Sequence, residues 1–400
     1  MPKPLTVAAR ANVQPFAVMD ILARVAELRA DGRDVVSLCA GEPGGGAPSG
    51  VSARAAELHA SGTALTYTPA LGLADLRQAI AGHYKRWYGI DVPARNVAVT
   101  TGSSGAFMLV FLAAFNPGDK VALARPGYPA YKNILKALGI DVIELDAGAD
   151  SRFQPTPEML AAAVAKHGPL AGLVLASPAN PTGTMVSRDE LAVLTDWCTE
   201  QGVRLVSDEI YHGVTYPDTG AADPRGVCAW ELDRSGVVIS SFSKYWGMTG
   251  WRLGWAIVPD DLIQAVDALA GNVALCPPAP AQIAAVAAFS EESYAQADAA
   301  VAEFSRTRDY VLDKVADLGW VDAAPADGAF YFYADLGPAL AGYKDSVEYC
   351  SDLLETEGVA LVPGTDFDGV GGGAAVRLSF AAGYDAVHEA LERIERFQRA

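Results

Sequence analysis

Cysteine is scarce and unpatterned in this chain of 400 residues: Cys39, Cys198, Cys228, Cys276 and Cys350 are odd in number, far apart and include no Cys-x-x-Cys pair. A disulfide framework and a zinc knuckle are excluded, and a reducing compartment fits best. Histidine is equally thin, and His59, His83, His167, His212 and His388 are too dispersed to suggest a metal site. Cations are in deficit, with 30 Lys and Arg against 48 Asp and Glu, a formal charge of -18. Binding to nucleic acid or an anionic membrane draws on clustered Lys and Arg, so those partners are set aside. The longest apolar run, Ala106 to Phe115, is well short of the ~20 residues of a membrane span and reads as a buried helix. Met1 to Arg10 lacks the apolar stretch and cleavage site of a signal peptide, and we expect a cytoplasmic protein. Low-complexity tracts, long charge blocks and solenoid-like repeats are also missing.

What remains is a globular composition: 51% hydrophobic and 20% charged residues leave no case for disorder. The length is a prior for roughly two to three domains of about 150 residues. Short apolar runs alternate with helical patterns: Asn96 to Thr100, Lys120 to Ala124, Leu173 to Ala176, Val203 to Val206, Val237 to Ser240 and Leu253 to Val258. This alternation predicts an α/β fold with a mostly parallel sheet covered by helices on both faces. Ser187 and Glu190 have capping-box spacing, Thr156-Pro157-Glu158 reads as a helix start, and Gly139 and Gly168 stand where left-handed helix caps fall. Residues 46–284 are therefore expected to form one large α/β domain. Residues 285–400 are expected to begin with a long Ala-rich helix through Phe304. A hairpin-like Gly328 to Ala334, a helix over Ser346 to Glu357 and a strand over Ala375 to Phe380 follow. Residues 1–45, with a helix (Val18 to Ala30) and one short strand (Val35 to Leu38), are too little to fold alone and are assigned to that smaller α+β domain.

In open parallel sheets, ligands bind beyond the carboxyl ends of the strands. Here those ends lead into Gly102-Ser103-Ser104-Gly105, Arg125-Pro126-Gly127-Tyr128-Pro129, Ser177 to Gly183 with Asn180, Ser207-Asp208-Glu209-Ile210-Tyr211, and Ser241-Phe242-Ser243-Lys244 followed by Arg252. One edge collects a lysine, a carboxylate, an amide, phenols, hydroxyls and an arginine. Each has a use if the ligand is a phosphorylated aromatic aldehyde. Lys244 can form a Schiff base, Asp208 can keep a ring nitrogen protonated, and the helix start at Ser104 with Arg252 can hold a phosphate.

With these residues in view, the chain resembles the class I/II aminotransferases of the aspartate aminotransferase type, pyridoxal-phosphate enzymes of fold type I. The likeness rests on Gly41-Glu42-Pro43, Tyr67-Thr68-Pro69 through Gly72 and Leu76-Arg77, Asn180-Pro181-Thr182-Gly183, Asp208-Glu209-Ile210-Tyr211 and Ser241-Phe242-Ser243-Lys244 to Arg252, all in the family's order. The resemblance implies pyridoxal 5'-phosphate as cofactor, with Lys244 as the Schiff-base lysine and proton shuttle and Asp208 on the pyridine nitrogen. It implies Tyr211 and Asn180 on the phenolic oxygen, Tyr128 stacked on the ring, and Ser103, Ser104, Ser241, Ser243 and Arg252 around the phosphate. It further implies a homodimer in which Tyr67 reaches the neighbouring subunit's phosphate. Arg377 would clamp the substrate carboxylate beside the Gly41 backbone, and Val13 to Phe16 would fold over the site.

Two formal motif matches fail. Ser241 to Lys244 fits Ser-x-x-Lys of serine acyl-enzymes without the other motifs of those enzymes, and Gly369 to Ala374 fits a dinucleotide fingerprint but precedes a strand. The expected reaction is transamination between an L-amino acid and a 2-oxo acid by a ping-pong mechanism. A β-lyase is the alternative that the same residues would serve, and a non-catalytic regulatory role is disfavoured by the charge. Ser104 stands where some dicarboxylate-specific relatives carry a lysine, and Asn272 to Pro278 contains no cation. With Phe16 and Tyr128 near the expected pocket, a neutral aliphatic or aromatic amino acid is favoured over strict aspartate specificity. Pyruvate and 2-oxoglutarate stay open as acceptors.

Overall fold

The computed structural model describes residues 5–216 and 223–399. Of the segment Met1 to Arg10 read above, residues 1–4 lie outside them. Seven strands form the main sheet: β1 (Val97–Thr100), β2 (Lys120–Arg125), β3 (Asp141–Asp146), β4 (Gly172–Ala176), β5 (Arg204–Asp208), β6 (Val237–Ser241) and β7 (Gly254–Ile257). Their order is β1-β7-β6-β5-β4-β2-β3. All pairings are parallel except those of β7 with β1 and β6. Between β6 and β7 the chain holds one short 3-10 turn, Thr249–Trp251, in place of a crossover helix, so β7 returns antiparallel. Six strands match expected runs; β3 is the seventh, unforeseen one.

Side chains alternate between two cores. Leu173, Leu205, Val238 and Trp255 face one, while Val174, Val206, Ile239 and Ala256 face the other. A strand buried on both faces reads as a continuous apolar run, which is why these segments stood out. The apolar run at Ala106 lies in the helix Gly102–Ala114, whose Ala106, Phe107, Val110 and Phe111 are buried. The capping box of Ser187 and Glu190 is formed at the start of the helix Arg188–Gln201, and Thr156 accepts from Met159 N at the start of Pro157–His167. Gly139 and Gly168 have φ of +80° and +85°. Gly168 has ψ of -172°, so it ends its helix outside the left-handed helical well.

The C-terminal part differs from expectation in two places. The Ala-rich stretch is not one helix from 285: a short helix Ala279–Ala285 and a 3-10 turn Val286–Phe289 precede the helix Glu291–Leu318. Ser290 restarts the chain by capping Ser293 N, with Glu291 and Glu292 favourably placed in the first turn, and the helix runs past Phe304 to its stop at Gly319. Gly328 to Ala334 is not a hairpin. The strand Tyr331–Asp335 pairs antiparallel with Ala375–Ser379, which also pairs with Val362–Pro363. The helices Ala17–Ala30 and Ser346–Glu357 form where expected, and Val36–Ser37 pairs parallel with Val359–Ala360. That last pairing brings the N-terminal segment beside the C-terminal one.

Candidate active site

Strands β1 to β6 run in one direction, so their carboxyl ends open on one edge. A cleft of about 480 Å³ lies there. Its wall includes Phe16, Gly41, Ser103, Ser104, Tyr128, Asn180, Asp208, Tyr211, Ser243, Lys244, Arg252 and Arg377, and thus most of the residues singled out from the sequence. Two of those are elsewhere. Tyr67 is 81% exposed on the surface. Ser241 is buried behind the wall, where its hydroxyl lies within hydrogen-bond distance of Ser243 Oγ (2.8 Å) and Leu253 O (3.0 Å) and accepts from Ser243 N (3.0 Å). It supports Ser243 instead of facing the cleft.

Asp208 is the last residue of β5, buried at the floor. Its Oδ1 accepts from Ile210 N at 3.1 Å and its Oδ2 accepts from the Tyr131 hydroxyl. Burial pushes its carboxyl up to about 6, against the pull of Tyr131, Ile210 N and Lys244. The neighbouring Glu209 is turned away from the cleft and ties the turn to the following segment, accepting from Ala229 N (2.7 Å) and Ser207 Oγ (3.2 Å).

Lys244 follows β6. Its ammonium donates to Gly41 O. Burial brings its pKa down to about 8; Glu42 pulls it back up and Arg377 lowers it further. The amine is therefore much closer to its neutral, nucleophilic form at physiological pH than a solvated lysine. Above it, Tyr211 and Tyr331 share a hydroxyl hydrogen bond of 2.8 Å.

Arg377, on the middle strand of the small sheet, is 5% exposed. Its Nη1 donates to Asn180 Oδ1 (3.0 Å) and its Nη2 to Cys39 O (2.8 Å). The guanidinium plane is sandwiched by Tyr331 and Phe367, with ring centroids 4.5 and 4.8 Å away. Two of its five N–H donors are engaged this way and Nε is buried without a partner, which leaves the other Nη hydrogens as the donors that could take a carboxylate.

At the opposite end, Ser103 and Ser104 occupy the first turn of Gly102–Ala114, whose amides carry the positive end of the helix dipole. Arg252 closes this end, held by its Nη1 donating to Thr249 O at 2.9 Å. Gly102 has φ of +73°, and a Cβ there would come within 2.5 Å of Arg252 Nη2, so only glycine lets helix start and guanidinium approach. With Ser243, these groups gather hydrogen-bond donors and positive charge at one end of the cleft. Tyr128 stacks on Phe16 with centroids 6.0 Å apart and packs edge-on to Tyr131.

Tyr131, Tyr331, Glu42 and Thr249, with Val18, Met19, Leu22 and Ile134, were not read as site residues. Tyr131 stands one helical turn from Tyr128, the one local signal that could have found it. The cations lining the cleft, among the described residues, are Lys244, Arg252 and Arg377, while Glu42, which accepts from Thr249 Oγ1 at 3.0 Å, adds a negative charge.

The sequence matches the family model for aminotransferase class I and II over residues 33–394. It is 50% identical to the valine–pyruvate aminotransferase of Mycobacterium tuberculosis, over 97% of this chain and 97% of that protein. It is 34% identical to an aspartate aminotransferase of Geobacillus stearothermophilus, with 98% of each covered. Among solved structures, an aminotransferase from Mycobacterium tuberculosis superposes with a TM-score of 0.94 at 49% identity, covering 99% of this chain and 100% of that one. The Thermus thermophilus aspartate aminotransferase with maleate gives 0.90 at 32% identity, over 98% of this chain and 100% of that one.

Proposed function

The chain belongs to the class I and II aminotransferases, and from that premise we propose that it transfers an amino group between a neutral aliphatic L-amino acid and pyruvate, using pyridoxal 5'-phosphate. The supporting observation is the convergence of Lys244, Asp208, the Ser103–Ser104 helix start with Arg252, and Arg377 on one cleft. These residues fit the cofactor: a helix start that glycine at 102 lets the Arg252 guanidinium approach, a buried carboxyl on the floor, an aromatic wall at Tyr128 and a weakly basic amine. Bound there, the cofactor would supply a carbonyl group and an electron-withdrawing ring that ease loss of the substrate Cα proton.

The protein's own groups do the rest. Ser103, Ser104, Ser243 and Arg252 would hold the phosphate and so fix the position of the ring. Asp208 would hold a proton on the ring nitrogen, helped by Tyr131, which keeps its carboxylate oriented. Tyr211 and Asn180 would face the phenolic oxygen. Arg377, with Gly41 beside it, would bind and orient the substrate carboxylate, and the Lys244 amine would take the Cα proton and return it one position along. The named relatives are aminotransferases, which weighs against the β-lyase alternative.

Substrate choice follows from charge. The apolar wall of Phe16, Val18, Met19, Leu22 and Ile134 is of a kind that suits a branched aliphatic side chain. Among the described residues, the cleft wall offers a distal carboxylate Glu42 and no cation beyond Lys244, Arg252 and Arg377, which disfavours aspartate as donor and 2-oxoglutarate as acceptor and leaves pyruvate. The name of the 50% identical relative agrees. Initial rates with pyruvate are the test: kcat/KM for valine is expected to exceed that for aspartate by about tenfold or more, the equivalent of roughly 1.4 kcal/mol. A preference for aspartate would refute the assignment.

The homodimer and the cytoplasmic location belong to the same proposal. Tyr67, Leu65, Val273 and Leu275 are exposed, and Thr68 N donates to Cys276 Sγ at 3.4 Å, so these segments adjoin on one face suited to a second copy. Among the described residues, no helix is long and apolar enough to cross a membrane.

A further inference from the structure

The helix Ala17–Ala30 supplies Val18, Met19 and Leu22 to the apolar wall of the cleft, yet its own N-cap residue is Phe16, which has no side-chain oxygen to satisfy the first amides. The missing cap comes from far along the chain: Asp366 accepts from Ala17 N at 3.0 Å (Oδ1) and from Val18 N at 3.4 Å (Oδ2). A carboxylate there also meets the positive end of the helix dipole. The next two residues fasten the turn in other directions. Phe367 covers the Arg377 guanidinium, and its carbonyl accepts from Gly127 N at 3.1 Å. Asp368 takes both of its oxygens to Arg125 Nη1 (3.2 and 3.0 Å), and Arg125 also pairs with Asp146 at 2.9 Å. The turn is closely packed, since a Cβ on Gly364 would lie 2.6 Å from Gly372 O.

We propose that Asp366 is a positioning residue for substrate specificity: from a turn anchored to the main sheet, it docks the first turn of the helix Ala17–Ala30, and with it the wall that receives an aliphatic side chain. The inference rests on the proposed preference for such substrates. It separates the two half-reactions. A branched side chain uses that wall, whereas the methyl group of pyruvate buries much less surface and depends on it less.

The test compares Asp366→Ala with Asp366→Asn, whose amide oxygen can still accept from Ala17 N. In Asp366→Ala, kcat/KM for valine is expected to fall about three- to tenfold through KM, as the docked fraction of the helix drops. The expected kcat/KM for pyruvate and kcat stay within about twofold, and Asp366→Asn stays near the parent protein. Amide hydrogen exchange over residues 17–22 provides a readout independent of substrate: protection is expected to fall in Asp366→Ala and persist in Asp366→Asn. Unchanged protection in Asp366→Ala would overturn the positioning role. Lost protection with equal losses for valine and pyruvate would overturn the specificity role. A parent protein without preference for valine, but with protection lost in Asp366→Ala, would refute the substrate assignment and the specificity role while leaving the docking intact.

Discussion

Lys244→Ala is expected to lower amino exchange between valine and pyruvate by about four orders of magnitude or more, because in the proposed reaction one side chain would serve both as nucleophile and as proton carrier. The surroundings make that loss hard to compensate. Lys244 is half-buried on the cleft wall, its pKa is brought down to about 8 by desolvation, and the other cations on the cleft wall, among the described residues, are arginines, which do not give up a proton near neutral pH. The fold should survive, since the truncated amine leaves behind only the Gly41 carbonyl as a former partner. Initial rates on protein whose circular dichroism matches the parent provide the check. Activity within a hundredfold of the parent would remove Lys244 from the mechanism.

Arg377→Ala carries the second large effect. Removing a buried cation that binds a carboxylate costs about 2–5 kcal/mol, so kcat/KM for valine is expected to fall by roughly two to three orders of magnitude, mainly through KM. Arg377→Lys should recover only a small part. An ammonium is a point charge and cannot span Asn180 Oδ1 and Cys39 O while leaving a flat fork between Tyr331 and Phe367 for the substrate. The measurement is the dependence of initial rate on valine concentration. A change of less than fivefold in Arg377→Ala would show that the substrate carboxylate is held elsewhere.

The parts of the molecule legible in the sequence are those whose signal is local. Strands β4, β5 and β6 are buried on both faces and stand out as apolar runs, each followed by a turn with distinctive polar residues. Strand β3 escaped because it lies at the sheet edge, and Asp141-Val142-Ile143-Glu144-Leu145-Asp146 mixes charge with apolar residues as a partly exposed strand must. The false hairpin at Gly328 to Ala334 has a similar origin: the partner of Tyr331–Asp335 is Ala375–Ser379, and register between distant segments leaves no mark in either one.

The site divides the same way. Asp208, Asn180, Ser243 and Lys244 sit on short motifs at strand ends and could be read directly. Tyr131 and Tyr331 could not, because the first gains meaning from Asp208, 77 residues away, and the second from Tyr211, 120 residues away. Asp366 is the extreme case, capping a helix 349 residues earlier. Ser241 shows the reverse: the resemblance implied that it lies around the phosphate, whereas its hydroxyl is occupied in supporting Ser243 and the strand beside it.

Reductive trapping tests the role of Lys244 most directly. Protein loaded with pyridoxal 5'-phosphate would be treated with borohydride, digested with trypsin and mapped by mass. The predicted product is the peptide from Ser235 to Arg252, uncleaved at Lys244 and carrying one phosphopyridoxyl group. Label confined to other lysines, with Lys244 cleaved normally, would contradict the assignment of this cleft as the seat of amino transfer.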